Sequence, residues 1–166
     1  IILVFCCTFT LLNGAIAQKL FDKVSKGDNE YVKSYLEKEI KAEDLFAEQN
    51  GNSGDSSVTF NFSIVEWAAI KNCQPCLKEL VSKKKKLEEH FKMQEELDKC
   101  LAHAVRNNNN QMVDFLLKNK VDINHNCEAC HGQTPIQVAL NYSNYKHFFL
   151  LLKNGANPTA TNFRGQ

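Results

Sequence analysis

Apolar residues in this chain cluster in short segments of helical length, and these segments come in pairs. Near the C-terminus, residues 135–140 and 148–152 form one pair, and residues 101–105 and 113–117 form the pair before it. A helix pair of this size cannot bury its apolar face alone, so neighbouring pairs must supply the rest of the core. The pattern therefore predicts a stack of helix pairs.

The last pair carries signals for its own ends, and part of it recurs at a fixed period. Thr134 is suited to a helix N-cap, and Pro135 to the first turn, where a missing N–H costs nothing. Gly155 is placed to end the second helix in a left-handed C-cap. Gly132-Gln133 recurs as Gly165-Gln166 after 165 − 132 = 33 residues, and a period of roughly 20 to 50 residues is typical of stacked-repeat proteins.

Residues 132–139, GQTPIQVA, resemble the ankyrin repeat, whose first helix opens Gly-x-Thr-Pro-Leu-His-x-Ala. Residues 155–157, Gly-Ala-Asn, match the family's Gly-Ala-Asp helix stop, and Ala104 aligns with Ala139 after 139 − 104 = 35 residues. The resemblance weakens toward the N-terminus. It implies an all-α ankyrin-repeat solenoid of about four helix pairs with short β-hairpin connections. The domain spans residues 18–166, with repeats at approximately 19–42, 60–97, 98–131 and 132–164.

Two stretches depart from the repeat pattern. Residues 43–62 contain the polar, Gly/Ser-rich run 49–57, so we expect a flexible insertion there. Between Val81 and Lys99 there is no Gly-Ala-Asp stop, and residues 83–97 are mostly good helix formers. We expect either that the second helix continues or that a short extra helix replaces the hairpin.

Residues 1–17 are predicted to be a signal peptide. The apolar run 1–12 is followed by Ala15-Ile16-Ala17, the small-x-small pattern that signal peptidase accepts. The run is shorter than the roughly 20 apolar residues of a transmembrane helix; a signal anchor and a buried helix are the alternatives. We expect a secreted mature chain that begins at Gln18 and has no membrane segment. The sequence lacks an initiator Met and ends two residues into a new repeat, and both features favour a fragment of a longer chain.

Charge and motif content favour neither nucleic-acid binding nor catalysis. The formal net charge is +1, which provides no basic field for nucleic acid. Residues 83–86 are all lysine but are followed by four glutamates, so we interpret them as a solvated helix face. His103 lies at a helix position that favours core packing or a concave surface over catalysis. We find no Ser-His-Asp order, Gly-rich phosphate loop or paired-carboxylate spacing, and we expect no enzyme activity and no cofactor.

Five cysteines follow the predicted signal peptide: Cys73, Cys76, Cys100, Cys127 and Cys130. The repeat register places the first two at a helix–helix turn and the last two in a hairpin, roughly 12 to 15 Å apart along a helix. All four sulfurs therefore cannot reach one zinc ion at about 2.3 Å. Secretion favours local Cys73–Cys76 and Cys127–Cys130 disulfides, although Cys100 could compete for either cysteine of the second pair. A zinc site would need His125 or His131 to complete the second pair, and no metal is expected.

The resemblance implies a non-catalytic module that binds a partner protein through hairpin tips and inner helices. The partner-contact positions carried over from the family are Arg106, Asn119, Asn126, His131 and Gln133. Cys130 and Asn141 also fall at contact positions of the family. Asn61 and Asn141 lie in Asn-x-Ser glycosylation tripeptides. The competing hypothesis is that these repeats belong to a larger secreted enzyme or toxin, and a Cys-x-x-Cys redox or metal module is a weaker one.

Overall fold

The computed structural model describes residues 16–38, 40–50, 59–162 and 165. The chain divides into two compact units, Ile1–Phe91 and Lys92–Gln166. The helices are α1 (16–25), α2 (Asn29–Leu36), α3 (Ile64–Ile70), α4 (Gln74–Ser82), α5 (Lys84–Leu87), α6 (Met93–Arg106), α7 (Asn110–Lys118), α8 (Pro135–Asn141) and α9 (Tyr145–Lys153). Apart from α5 they form four consecutive pairs, two in each unit, which confirms the predicted all-α architecture.

Most of the predicted signal peptide, residues 1–15, lies outside the described residues. Its last two residues, Ile16 and Ala17, stand at the start of α1, where Ala17 is buried. Among the residues described, none of the helices combines the length and the apolar character that crossing a membrane requires.

The turn inside each of the four helix pairs has the same backbone conformation. One left-handed residue forms each turn, with φ between 53° and 71°: Gly27, Asn72, Asn108 and Ser143. The N–H of the next residue then donates to a carbonyl in or near the last turn of the first helix, that of Lys23, Ala68, Ala104 or Ala139. Ala104 and Ala139 thus hold the same place in successive pairs, as their 35-residue spacing predicted.

In the first unit, α4 packs against both α2 and α3. Its contacts bury Leu77 and Leu80 on one face of α4, together with Val32 of α2. Trp67 on α3 links that helix to α1, because its indole Nε1 donates to the Phe21 carbonyl at 3.2 Å. The apolar face of each helix is therefore covered by a neighbouring pair, as expected for a repeat stack.

The predicted flexible insertion at residues 43–62 is structured at both ends. After a 3₁₀ turn at Ala42–Asp44, strand β1 (Phe46–Asn50) pairs antiparallel with β2 (Thr59–Ser63). Residues 51–58, which include most of the polar run, lie outside the described residues. The two strands were not predicted, because their pairing is a backbone interaction between segments on either side of the polar run, which leaves little trace in apolar periodicity. The flexibility of the insertion stays a prediction.

The helix α5 confirms one of the two alternatives for the junction after Val81, since a short extra helix stands where a hairpin was missing. The lysine run at residues 83–86 is only partly the solvated helix face that the sequence predicted. Lys83 forms an ion pair with Glu37 at 2.6 Å, and Lys86 donates to the Leu36 carbonyl at 2.8 Å. The Lys83 ammonium holds the pKa of the Glu37 carboxyl below its usual range. These lysines therefore bind the C-terminal end of α2, where cations are favoured.

In the second unit, α6 packs against α7 and α8, and α8 packs against α9. The helix α6 begins at Met93, inside the segment that the sequence assigned to the preceding repeat. Thr134 caps α8, its N–H donating to the Gln137 side chain at 3.0 Å, and Gly155 follows α9 with a φ of 91°. Both end signals were predicted from the sequence. The core between these helices includes the fully buried Leu101, Val105, Val113, Leu116, Val138, Ala139 and Leu151.

Candidate protein-binding surface

The connection between α7 and α8, residues 120–133, is a hairpin held at its base by α6. The Asp98 carboxylate accepts the Asp122 N–H at 2.7 Å and the Gln94 side-chain amide at 3.1 Å. Gln94 also donates to the Lys120 carbonyl at 3.3 Å. Two hydrogen bonds thus attach the start of the hairpin to the N-terminal half of α6, and the bond between Gln94 and Asp98 holds the two α6 side chains together.

The tip of the hairpin is a tight turn closed by backbone bonds. Cys127 pairs with Gln133 in an antiparallel bridge, and the Gly132 N–H returns to the Cys127 carbonyl at 2.9 Å. His131 and Gly132 are both left-handed, with φ of 60° and 72°. This backbone turns the cysteine side chains inward, where they are buried, and leaves His131 exposed.

The predicted contact residue Asn126 connects the hairpin to the segment after α9. Its side-chain amide donates to the Thr161 carbonyl at 3.3 Å. Asn124 accepts the Asn157 N–H at 2.8 Å, a contact across 33 residues. Gln137 on α8 likewise donates to the Ala160 carbonyl at 2.9 Å. The bonds of Asn124 and Asn126 attach the hairpin to the turn after α9, and the Gln137 bond attaches α8 to the same turn.

Beside the hairpin, the exposed side of α8 forms a shallow concavity of about 240 Å³. It is lined by Gln133, Gln137, Leu140, Asn141 and Asn162, and we call these five residues the α8 surface. Leu140 is 55% exposed and is surrounded by carboxamides. Sequence reasoning found Gln133 and Asn141 but missed Leu140 and Gln137. The sequence did contain a signal for Leu140: it is an apolar residue that directly follows Ala139, the small residue at which neighbouring helices pack.

The structure does not bring the predicted contact residues to one place. Asn126, His131 and Gln133 lie on the hairpin, and Asn119 caps α7 immediately before it. Arg106 ends α6 at the opposite end from the hairpin-binding Asp98, about 12 Å away along a helix axis.

Arg106 instead lines a second groove of about 490 Å³ at the helix–turn end of the unit. The groove is formed by Arg106, Asn108, Asn110, Tyr142, Ser143, Asn144, Tyr145 and Lys146. The Asn144 side chain bonds the Val105 carbonyl and the Asn108 side chain there. Two exposed tyrosines make this a separate polar and aromatic surface.

The cysteines occupy the positions predicted from the repeat register. Cys73 caps α4 and is bonded to Cys76, with an S–S distance of 2.02 Å. Cys127 and Cys130 are bonded in the hairpin, with an S–S distance of 2.28 Å. Cys100 is buried and belongs to neither disulfide; its thiol donates to the Glu96 carbonyl at 3.2 Å. The predicted glycosylation residues Asn61 and Asn141 are both exposed.

Two buried histidines lie in the second unit. His103 on α6 has no exposed surface, as core packing required, and its ring lies beside the hairpin cysteines. Asn144 contacts His147 Nδ1 at 2.6 Å. Burial lowers the pKa of His147 below its usual value, and the charge of Lys146 acts in the same direction. His147 is therefore neutral near pH 7.

Comparison with known families agrees with this architecture. Residues 65–162 match the family described as ankyrin repeats, in three copies. A comparison with curated proteins found no match. The matched segment contains α3 from its second residue, α4 to α9, the hairpin and the α8 surface.

Proposed function

Because this chain belongs to the ankyrin-repeat family, we propose that it is a non-catalytic module that binds a partner protein through the hairpin tip and the α8 surface. Ankyrin repeats are generally protein–protein interaction modules. The observation that carries the proposal is Leu140, 55% exposed within a concavity whose other side chains are all carboxamides.

The chemistry of the α8 surface suits a protein partner. Binding energy at interfaces is concentrated in a few central residues that become fully desolvated, and a polar rim fixes orientation. Leu140 supplies an apolar centre. Gln133 and Asn141 supply donors and acceptors that can pair with a partner's backbone or side chains.

The rigidity of the hairpin supports the same surface. Its base is bonded to α6 through Asp98, and its far side is bonded to the next turn through Asn124 and Asn126. Groups that are already ordered lose less conformational entropy on binding. The backbone of His131 is part of this hydrogen-bonded turn, its N–H donating to the Glu128 carbonyl at 3.1 Å.

We also propose that the mature chain is secreted, with Gln18 as its first residue. The support is the apolar run and the small-x-small sequence at residues 15–17, together with the two local disulfides. N-terminal sequencing of protein from culture medium should begin Gln18-Lys19-Leu20. Recovery of residues 1–17 on a soluble intracellular protein would contradict export.

Glycosylation and binding compete at Asn141. A glycan on this residue would cover the α8 surface, since Asn141 lines it, whereas Asn61 on β2 lies in the other unit. The proposal therefore requires that the binding-competent chain carries no glycan on Asn141, and intact-mass analysis of the secreted protein tests this directly.

The binding experiment compares two exposed apolar residues. Leu140→Glu places a charge in the α8 surface, and Phe149→Glu places the same charge on α9 at a side chain that is 66% exposed. Immobilised wild type and variants are incubated with protein extract, and retained proteins are quantified by mass spectrometry. A partner retained by wild type and Phe149→Glu but lost from Leu140→Glu supports the surface. A partner retained equally by both variants refutes it.

A further inference from the structure

The ring of His103 lies beside the Cys127–Cys130 disulfide of the hairpin. Its Nε2 atom is 3.7 Å from Cys127 Sγ, and its Nδ1 atom is 3.8 Å from Cys130 Sγ. All three side chains are buried, with exposures of 0%, 1% and 4%. One ligand atom from each residue lies within 4.8 Å of the others. Two cysteines and a histidine, both residue types that bind zinc, thus lie together in the core.

The cluster is specific to this repeat. His103 precedes Ala104, so the corresponding residue before Ala139 in the next pair is Val138, which is fully buried. Ala160 is the counterpart of Cys127 in the next turn, 33 residues later. The histidine and the cysteine thus occur together in one repeat, and both positions are apolar in the following one. Ordinary repeat packing therefore requires neither side chain.

The hairpin backbone holds the two sulfurs on the side that faces α6. The Cys130 N–H donates to the Cys127 carbonyl at 3.0 Å, and the Gly132 N–H donates to the same carbonyl at 2.9 Å. Left-handed His131 and Gly132 then reverse the chain. These bonds are between backbone atoms, so the turn does not depend on the disulfide for its hydrogen bonding.

We propose that the reduced form of this hairpin binds one Zn²⁺ ion through Cys127 Sγ, Cys130 Sγ and one ring nitrogen of His103. A dithiol reductant supplies two electrons and two protons, which break the S–S bond and give two thiols. Zn²⁺ then displaces both thiol protons, which pass to solvent. The disulfide form binds no zinc there because both sulfurs are used in the S–S bond.

The charges and distances both suit zinc. Two thiolates and a neutral imidazole balance the 2+ charge of the ion, so the complex is neutral in a buried site where net charge is costly. Tetrahedral bonds of about 2.3 Å to sulfur and about 2.05 Å to nitrogen imply a separation of about 3.6 Å between the ligating nitrogen and each sulfur. The observed 3.7 and 3.8 Å separations involve different ring nitrogens, and one ligand nitrogen lies within 4.8 Å of both sulfurs, so a small shift of the ring completes the geometry. The sulfurs must separate to about 3.8 Å by the same geometry, which side-chain rotation in the reduced turn allows. The fourth position is left for solvent or an added ligand.

The second Cys-x-x-Cys sequence provides a matched control in the same chain. Cys73 and Cys76 have the same spacing and also form a disulfide. Among the described residues, three metal-ligand side chains come together at the His103 cluster and at no group that includes Cys73 or Cys76. Two thiolates alone are too few for a stable zinc site.

The test uses the full chain, reduced with a phosphine and freed of metal, and titrated with Zn²⁺ or with Co²⁺ as a spectroscopic probe. We expect one ion per chain and the intense near-ultraviolet band of cobalt–thiolate coordination. The Cys73→Ser/Cys76→Ser variant should keep both signals, and the Cys127→Ser/Cys130→Ser variant should lose them. His103→Val, which introduces the residue of the next repeat, should weaken zinc affinity at least about tenfold, since even outer-shell partners typically contribute 10–100-fold.

Alkylation of the reduced wild type keeps the test independent of variant folding. Zinc should protect Cys127 and Cys130 from a thiol reagent while Cys73 and Cys76 react at the same rate with and without the metal. Absence of zinc binding to the reduced wild type overturns the proposal, as does loss of binding only when Cys73 and Cys76 are replaced. An unchanged zinc affinity in His103→Val would show that His103 is not a ligand. Loss of binding in Cys100→Ser would show that the Cys100 thiol is the third ligand instead. Either result refutes the assignment.

Discussion

Replacement of Leu116 by alanine tests the repeat register and the sharing of one core by adjacent pairs. Leu116 lies on α7 with no exposed surface and corresponds to Leu151 on α9, which is equally buried. The substitution removes three carbon atoms, worth about 0.8 kcal/mol each in transfer from water. The cavity left behind adds to this, so we expect a loss of about 2 to 5 kcal/mol in the free energy of unfolding.

Urea unfolding followed by circular dichroism measures this loss, and Leu140→Ala is the matched control. The same atoms are removed from a side chain that is 55% exposed, where substitutions usually change stability by less than about 0.5 kcal/mol. Because α6 packs on both α7 and α8, hydrogen exchange should also become faster in α8. A loss below about 0.5 kcal/mol for Leu116→Ala, or equal losses for the two variants, would refute the register.

Three further predictions concern single side chains. Tyr35→Phe should destabilise the first unit by about 1 to 3 kcal/mol in urea melts, because it removes the 2.9 Å bond to the buried Asp44 carboxylate and leaves that group unpaired. Ser63→Ala should cost about 0.5 to 2 kcal/mol, since the hydroxyl caps α3 by accepting the Glu66 N–H; Ser63→Asp should restore most of it. The pKa of His147 is lowered in the folded chain, so the unfolded chain binds more protons as pH falls through about 6.5. Its contribution to stability is present above that pH and is lost on acidification, and His147→Leu should flatten the dependence of the urea midpoint between pH 7 and 5; an identical slope in the variant would contradict this.

Sequence reasoning reached the helix pairs, their caps and the placement of the cysteines. Thr134 and Gly155 signal helix ends through interactions with backbone groups a few residues away. The 35-residue spacing of Ala104 and Ala139 reflects the same turn built twice. Such local and periodic features are properties of neighbouring residues, so they can be recognised without knowing where the rest of the chain lies.

Only the tertiary structure decided which distant residues meet. Three features depend on how segments pack: the pairing of β1 with β2, the separation of Arg106 from the hairpin residues, and the contact of His103 with the Cys127–Cys130 disulfide. His103 and Cys127 are separated by 24 residues, and their sequence contexts suggested a core position and a disulfide respectively. Contacts between turns and helices are set by the packing of whole elements, to which each residue contributes only a small part of the free energy. The common site of these side chains therefore emerged only when α6 and the hairpin were placed together.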